Sequence, residues 1–147
     1  MIPNNHPNSS SDIGANLHND EICPDGDIPA TKIRRVYRGA LDGVVRVVNT
    51  IDRHEGSQPL RHIVYHSPTG FAWGYEGSGP ADLALSILCD IFGEFPTLKK
   101  LFYGRFKAAP YYQAFKREFV ARWDFQGSFE IDSNDVIQWL RAQGAEV

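Results

Sequence analysis

The residues with the most distinctive spacing form a glycine-rich turn, Gly74-Tyr75-Glu76-Gly77-Ser78-Gly79-Pro80-Ala81-Asp82. Such a turn between a strand and a helix can bind a phosphate, because unpaired amide protons and the positive end of the helix dipole face it. Pro80, however, removes one amide donor, and the Asp82 carboxylate repels an anion. The alternative is a self-capped helix start, with Ser78 or Gly79 as N-cap and Pro80 in the first helical position.

Two histidines, His62 and His66, are four residues apart and add a second candidate site. On a strand they would face the same side about 13 Å apart, which is too far to share a metal, so no metal site is predicted. Together with nearby cations and the glycine turn they can instead receive an anionic, nucleotide-like ligand. The alternative is an ordinary solvated sheet face. The predicted anion site consists of Arg46, Arg61, His62, His66, Gly77, Ser78 and Gly79.

Cations and aromatic rings alternate between residues 99 and 107. This composition stacks bases and neutralises phosphates in nucleic-acid-binding proteins. It also suits a connector whose rings pack inward while its lysines stay in water. A third possibility is an exposed aromatic patch around Phe102, Tyr103 and Phe106 that contacts another protein. The predicted partner-binding residues are Lys99, Lys100, Phe102, Tyr103, Arg105, Phe106 and Lys107.

Catalytic arrangements are harder to find in this sequence. Cys89 lies in an apolar helical run, where a thiol is inert. His66 and Ser67 are consecutive, so on a strand they point to opposite faces and do not form a base and nucleophile pair. The sequence therefore favours a non-catalytic protein without a cofactor. A nucleotide-processing enzyme that depends on His66 or Glu76 remains an alternative.

Length and composition set the framework for these sites. With 147 residues and 42% apolar content, the chain is expected to form one domain over residues 31–147. Residues 1–30 carry five acidic side chains and no lysine or arginine, and they predict a disordered tail. The rest holds 15 basic and 13 acidic residues, a surplus too small to favour nucleic acid. Two unpaired cysteines and the absence of an apolar leader predict a cytoplasmic protein.

The predicted elements begin with a hairpin. Residues 33–38 and 44–48 are rich in β-branched side chains and flank Asp42-Gly43, a strong turn signal. After a polar loop over residues 52–59, residues 61–67 and 71–75 alternate in polarity and predict a second hairpin with one aromatic face. That face carries Ile63, Tyr65, Phe71, Trp73 and Tyr75, and it needs a cover.

The predicted cover is a strongly apolar helix from Pro80 to Phe92, whose only polar ridge consists of Asp82, Ser86 and Asp90. Further helices are predicted over residues 110–123 and 134–142, with a short strand over 128–131 between them. The predicted fold is therefore α+β, with a small antiparallel sheet of about four strands packed by three helices.

The run His66-Ser67-Pro68-Thr69-Gly70-Phe71-Ala72-Trp73-Gly74-Tyr75-Glu76-Gly77-Ser78-Gly79-Pro80-Ala81-Asp82-Leu83-Ala84-Leu85 resembles the signature of a small family of unknown function from bacteria, plasmids and phages. The similarity extends over residues 33–142. It implies a mobile-element context, in which small proteins often bind host defence proteins or sequester their signals. The leading hypothesis is thus a counter-defence binding protein that acts on a host defence protein or a small anionic nucleotide-like signal. A nucleic-acid-binding accessory protein is the alternative, and the oligomeric state is left open.

Overall fold

A computed structural model describes residues 31–147, and the acidic tail expected over residues 1–30 lies outside the described residues. Thr31–Val147 forms one compact unit. Its elements in chain order are β1 (Ile33–Gly39), β2 (Val45–Ile51), β3 (His54–Pro59), α1 (Ser78–Phe92), α2 (Leu98–Phe102), α3 (Tyr112–Glu118), a 3-10 turn (Val120–Arg122), β4 (Phe129–Asp132) and α4 (Ser133–Ala142). The α+β prediction is confirmed, with four α-helices rather than three.

The four strands form one antiparallel sheet in the order β3-β2-β1-β4. The first predicted hairpin is confirmed, because β1 and β2 pair directly and Tyr37 lies opposite Val47. Gly43 has the positive φ of 82° that its turn requires. On the other side of β1, Tyr37 lies opposite Ile131 of β4. The inner face of the sheet is therefore apolar where α1 covers it.

The second predicted hairpin is wrong. Residues 61–75 contain no strand, and the third strand is β3, which the sequence had suggested to be a polar loop. Every residue of β3 is exposed, and its sequence is polar throughout. It therefore lacks the apolar alternation on which strand prediction depends. The segment 61–75 instead crosses the side of α1, where Ile63 and Trp73 are buried but Tyr65 and Tyr75 stay exposed. The predicted aromatic face is therefore only half covered.

The predicted apolar helix is confirmed as α1, and every residue from Gly79 to Cys89 is buried. Its polar ridge does not face solvent as a surface ridge would. Asp90 Oδ2 accepts hydrogen bonds from the Tyr37 hydroxyl at 2.6 Å and from Arg35 Nε at 3.1 Å. Burial, reinforced by the Asp90 carboxylate, raises the pKa of Tyr37 far above its usual range. Asp90 thus ties α1 to β1.

The remaining helices complete the core. The predicted helix over 110–123 is split into α3 and the 3-10 turn, and Phe115 and Val120 are fully buried. The last helix, α4, begins within one residue of its predicted start. The Asp132 side chain caps it by accepting a hydrogen bond from the Asn134 amide at 2.9 Å. Burial raises the pKa of the Cys89 thiol to about 12. Within residues 31–147, no helix is both long and apolar enough to cross a membrane.

We expect Tyr37→Phe to lower the free energy of unfolding by about 1 kcal/mol, because a buried hydroxyl loses its bond to Asp90 while the ring keeps its packing. The matched control is Tyr103→Phe, since that phenol is exposed. The control should change stability by less than about 0.5 kcal/mol. Urea unfolding of both variants measures the difference, and equal effects would contradict the role given to Asp90.

Candidate functional site

One buried carboxylate, that of Asp82, binds several groups of the segment that precedes α1. Asp82 is fully buried in the first turns of α1. Its Oδ1 accepts the His66 amide at 2.8 Å, and its Oδ2 accepts the amides of Tyr65 at 3.1 Å and Ser67 at 3.0 Å. One turn later, the Ser86 hydroxyl accepts the Ile63 amide at 2.9 Å. Side chains of α1 therefore satisfy the backbone of a segment that has no strand partner.

The two histidines flank this carboxylate but have separate partners. His62 Nε2 lies 3.1 Å from Asp82 Oδ2, and its ring packs against Phe71 with centroids 4.5 Å apart. This hydrogen bond has the carboxylate oxygen as acceptor when the imidazole carries a proton on Nε2. His66 Nε2 lies 2.9 Å from the hydroxyl of Tyr112, whose pKa is raised by burial. Within residues 31–147, no three metal-ligating side chains gather at this or any other place.

The glycine-rich turn is shaped by close packing. Gly74 has a φ of 88°, and a Cβ there would collide with the backbone of Phe125. A Cβ on Gly79 would lie 2.8 Å from the Cβ of Ala72, and the Tyr75 hydroxyl lies 3.5 Å from the same position. The helix starts earlier than expected, with Gly77 as N-cap and Pro80 as the third residue of α1. The glycines therefore let neighbouring segments pack against the start of α1.

The structure does not gather the predicted anion-binding residues in one place. Arg46 alternates with the buried Val45 and Val47, so it points to the sheet face opposite α1. The guanidinium of Arg61 lies 4.6 Å from the centroid of the Phe95 ring. His62 and His66 are brought together around Asp82, whereas Gly77, Ser78 and Gly79 begin α1.

Most of the predicted partner-binding residues form an exposed surface. Leu98 and Phe102 lie one turn apart on α2 and are 82% and 80% exposed. Phe106 differs from the prediction, because it is buried and its ring packs near those of Tyr65 and Tyr112. We call the exposed side chains of this region the basic–aromatic surface. It consists of Phe95, Leu98, Lys99, Lys100, Phe102, Tyr103, Arg105 and Lys107.

This surface is held by a small set of fixed contacts. The Thr97 side chain caps α2 by accepting the Lys100 amide at 3.3 Å. The Glu94 carboxylate accepts hydrogen bonds from the Lys107 backbone amide at 3.0 Å and from the Lys100 ammonium at 3.4 Å. The hydrogen bond from the Lys107 amide is the main cause that lowers the pKa of Glu94. Leu101 is buried underneath. Both ends of the segment are therefore tied down while its outer side chains stay exposed.

An open cavity of about 620 Å³ lies within the basic–aromatic surface. Three cations and two hydroxyl-bearing side chains line it: Thr97, Lys99, Lys100, Tyr103 and Arg105. We call it the basic cavity. The Arg105 guanidinium lies over the Tyr103 ring, 5.5 Å from its centroid, so the cation is placed against one face of the ring.

Sequence reasoning missed two residues of these sites. The sequence places Asp82 on a polar ridge and opposite a bound anion, whereas a carboxylate among the apolar residues of a buried helix is itself a signal that hydrogen-bond donors must meet it. Leu98 was omitted because it precedes the cationic run. Its spacing of four residues from Phe102 would have placed both on one helix face.

We expect Asp82→Asn to lower the free energy of unfolding by about 2 to 4 kcal/mol, because an amide nitrogen would replace an oxygen that faces buried donors. Asp135→Asn is the matched control, since Asp135 is exposed in the first turn of α4. The control should stay within about 0.5 kcal/mol of the parent protein. Chemical denaturation of both proteins measures the difference, and an unchanged Asp82→Asn midpoint would refute the anchoring role.

Comparison with known proteins finds a match to one protein family. No curated protein and no solved structure matches the chain. A family of unknown function, DUF6166, matches residues 37–142, a range that runs from β1 through α4 and includes Asp82 and the basic–aromatic surface. The chain therefore belongs to the DUF6166 family.

Proposed function

We propose that this protein is a non-catalytic binding protein that captures a partner protein through its basic–aromatic surface. The observation that carries the proposal is the exposure of Leu98 and Phe102 on a capped helix. Large apolar side chains that remain in water next to one another mark interaction surfaces. Aromatic and arginine side chains also dominate the energetics of protein interfaces.

The charge of the surface indicates what the partner presents. Lys99, Arg105 and Lys107 are exposed in the same segment as the apolar side chains, and the acidic Glu94 is already engaged with Lys100 and the Lys107 amide. A complementary partner therefore combines an apolar pocket for Phe102 with a rim of carboxylates. The exposed Leu98 favours a protein over a nucleic acid, because an aliphatic side chain offers no stacking face to a base.

A non-catalytic role is further supported by the environment of the two histidines. The Nε2 atoms of His62 and His66 both face protein groups, Asp82 and the Tyr112 hydroxyl. Glu76, the other residue considered for nucleotide chemistry, forms an ion pair with Lys116 at 2.9 Å. These side chains are used within the fold in the arrangement seen here.

The biological context is part of the proposal. The resemblance to proteins of bacteria, plasmids and phages suggests that the partner is a host defence protein and that binding blunts its activity. A cytoplasmic location follows from the same proposal, since the target would be met inside the cell. The chemistry of the surface supports capture, and the identity of the target is what experiment must supply.

Photo-crosslinking from position 102 tests capture directly. We expect a photoreactive phenylalanine at position 102 to crosslink one bacterial protein, whereas the same residue at Phe125, which is 63% exposed but outside the surface, should not. With that protein purified, Leu98→Ala combined with Phe102→Ala should weaken binding about 100-fold or more, as truncation of interface hot spots does. Thermal unfolding should be unchanged, because both side chains are exposed.

The proposal fails if positions 102 and 125 crosslink the same set of proteins. It also fails if the purified partner binds the double variant as tightly as the parent chain. Unchanged melting temperatures separate either result from a folding defect.

Nucleic-acid binding is a second candidate function, supported by the four cations beside exposed rings. Arg61 extends this arrangement, since its guanidinium lies over Phe95. Single strands bind such surfaces by base stacking and by charge neutralisation. The charge surplus of residues 31–147 is small, so binding would depend on the local cluster rather than on the overall field.

This second candidate predicts a steep dependence on salt. If four phosphates are neutralised, the logarithm of the affinity for a single-stranded oligonucleotide falls with the logarithm of salt concentration with a slope of about −3. Fluorescence anisotropy of a labelled oligonucleotide, measured between about 50 and 200 mM salt, gives this slope. An absent or salt-independent signal would eliminate nucleic-acid binding and leave protein capture untouched.

A further inference from the structure

We propose that the basic cavity is a binding site for a nucleoside di- or triphosphate, beside the apolar side chains that contact a protein partner. The inference rests on the proposed binding function, because Tyr103 belongs to both the cavity and the basic–aromatic surface. It assigns the small anionic ligand to residues 97–105 rather than to the histidines and the glycine turn.

The charge of the lining carries the first step. Lys99, Lys100 and Arg105 contribute three positive charges, and among residues 31–147 only Lys100 has an acidic partner, Glu94 at 3.4 Å. Unneutralised cations that line one concave site attract a multiply charged anion. Lysine and arginine both bind phosphate oxygens through charge-assisted hydrogen bonds, and the Thr97 hydroxyl lies in the same lining. A ligand with at least two phosphates matches the two cations without an acidic partner, Lys99 and Arg105, better than a single phosphate does.

The size and shape of the cavity carry the second step. Its volume of about 620 Å³ lies within the usual range for small-molecule sites. Tyr103 supplies an aromatic face, and its ring meets the Phe102 ring at nearly a right angle with centroids 5.1 Å apart. Aromatic faces bind nucleobases by stacking. A ligand that combines a flat ring with phosphates therefore uses both parts of the lining.

The other places considered for an anion are less suitable. The start of α1 is occupied by Tyr75 and Ala72, which pack against Gly77 and Gly79. The amides of residues 65–67 already donate to Asp82. Arg46 points to the opposite face of the sheet. In the basic cavity, by contrast, Lys99 and Arg105 have no acidic partner among residues 31–147.

Isothermal titration calorimetry with the full chain tests the site directly. The probes are ATP, ADP, AMP, inorganic pyrophosphate and adenosine. We expect ATP and ADP to bind most tightly, pyrophosphate more weakly, and adenosine most weakly. Amide chemical shifts should change in residues 97–105. Lys99→Ala and Arg105→Ala should each weaken ADP binding about tenfold, because each removes a charged hydrogen-bond donor.

Two controls separate this inference from the proposed function. Arg122→Ala removes an exposed arginine outside the cavity and should leave ADP binding unchanged. Leu98→Ala should weaken capture of the crosslinked partner but preserve ADP binding, since Leu98 does not line the cavity. Nucleotide binding and partner capture can therefore fail independently.

Several results would overturn the nucleotide assignment. These are the absence of heat with every probe at millimolar concentration, adenosine or pyrophosphate binding as tightly as ADP, and ADP binding that survives both Lys99→Ala and Arg105→Ala. If Arg122→Ala lost as much ADP affinity as Lys99→Ala or Arg105→Ala, binding would reflect general charge attraction, and this result would also reject the site.

Discussion

The fold depends on polar side chains that emerge from an otherwise buried helix. Asp82, Ser86 and Asp90 repeat every four residues along α1, and together they bind two parts of the chain. The first two hold the segment 61–75, and the third holds β1. A buried carboxylate is costly unless its hydrogen bonds are complete, so this ridge admits one arrangement of its neighbours. The basic–aromatic surface begins at Phe95, just after α1 ends at Phe92, so the placement of α1 fixes where this surface starts.

Local signals in the sequence predicted the elements whose partners are close in the chain. The Asp42-Gly43 turn specifies the β1–β2 hairpin, and the apolar composition of α1 specifies a central helix. The segment 61–75 shows the limit of such signals. Its alternation suggests a strand, but its amides are satisfied by side chains of α1 about 20 residues away, a form of pairing that periodicity does not encode. The strand β3 shows the opposite case, because it is a real strand that the sequence does not predict. It lies at the edge of the sheet with both faces polar, so it has no apolar alternation.

The candidate site was predictable in composition but not in orientation. The run from Lys99 to Lys107 identifies a surface of cations and rings, yet Phe106 turns inward while Phe102 turns outward. The sequence offers no local distinction between these two phenylalanines, because their burial is decided by Tyr65 and Tyr112, which come from other segments. The proximity of Arg61 to Phe95 is equally nonlocal. Only the three-dimensional packing separates side chains that support the surface from those that form it.

The bonds of Glu94 and the cap at Thr97 have a further consequence for recognition. A flexible loop loses conformational entropy when it is ordered by a ligand, and that loss reduces affinity. Here the backbone is already fixed on both sides of α2. Substitutions among the outward side chains can therefore change the charge and shape of this surface without altering the backbone that presents it.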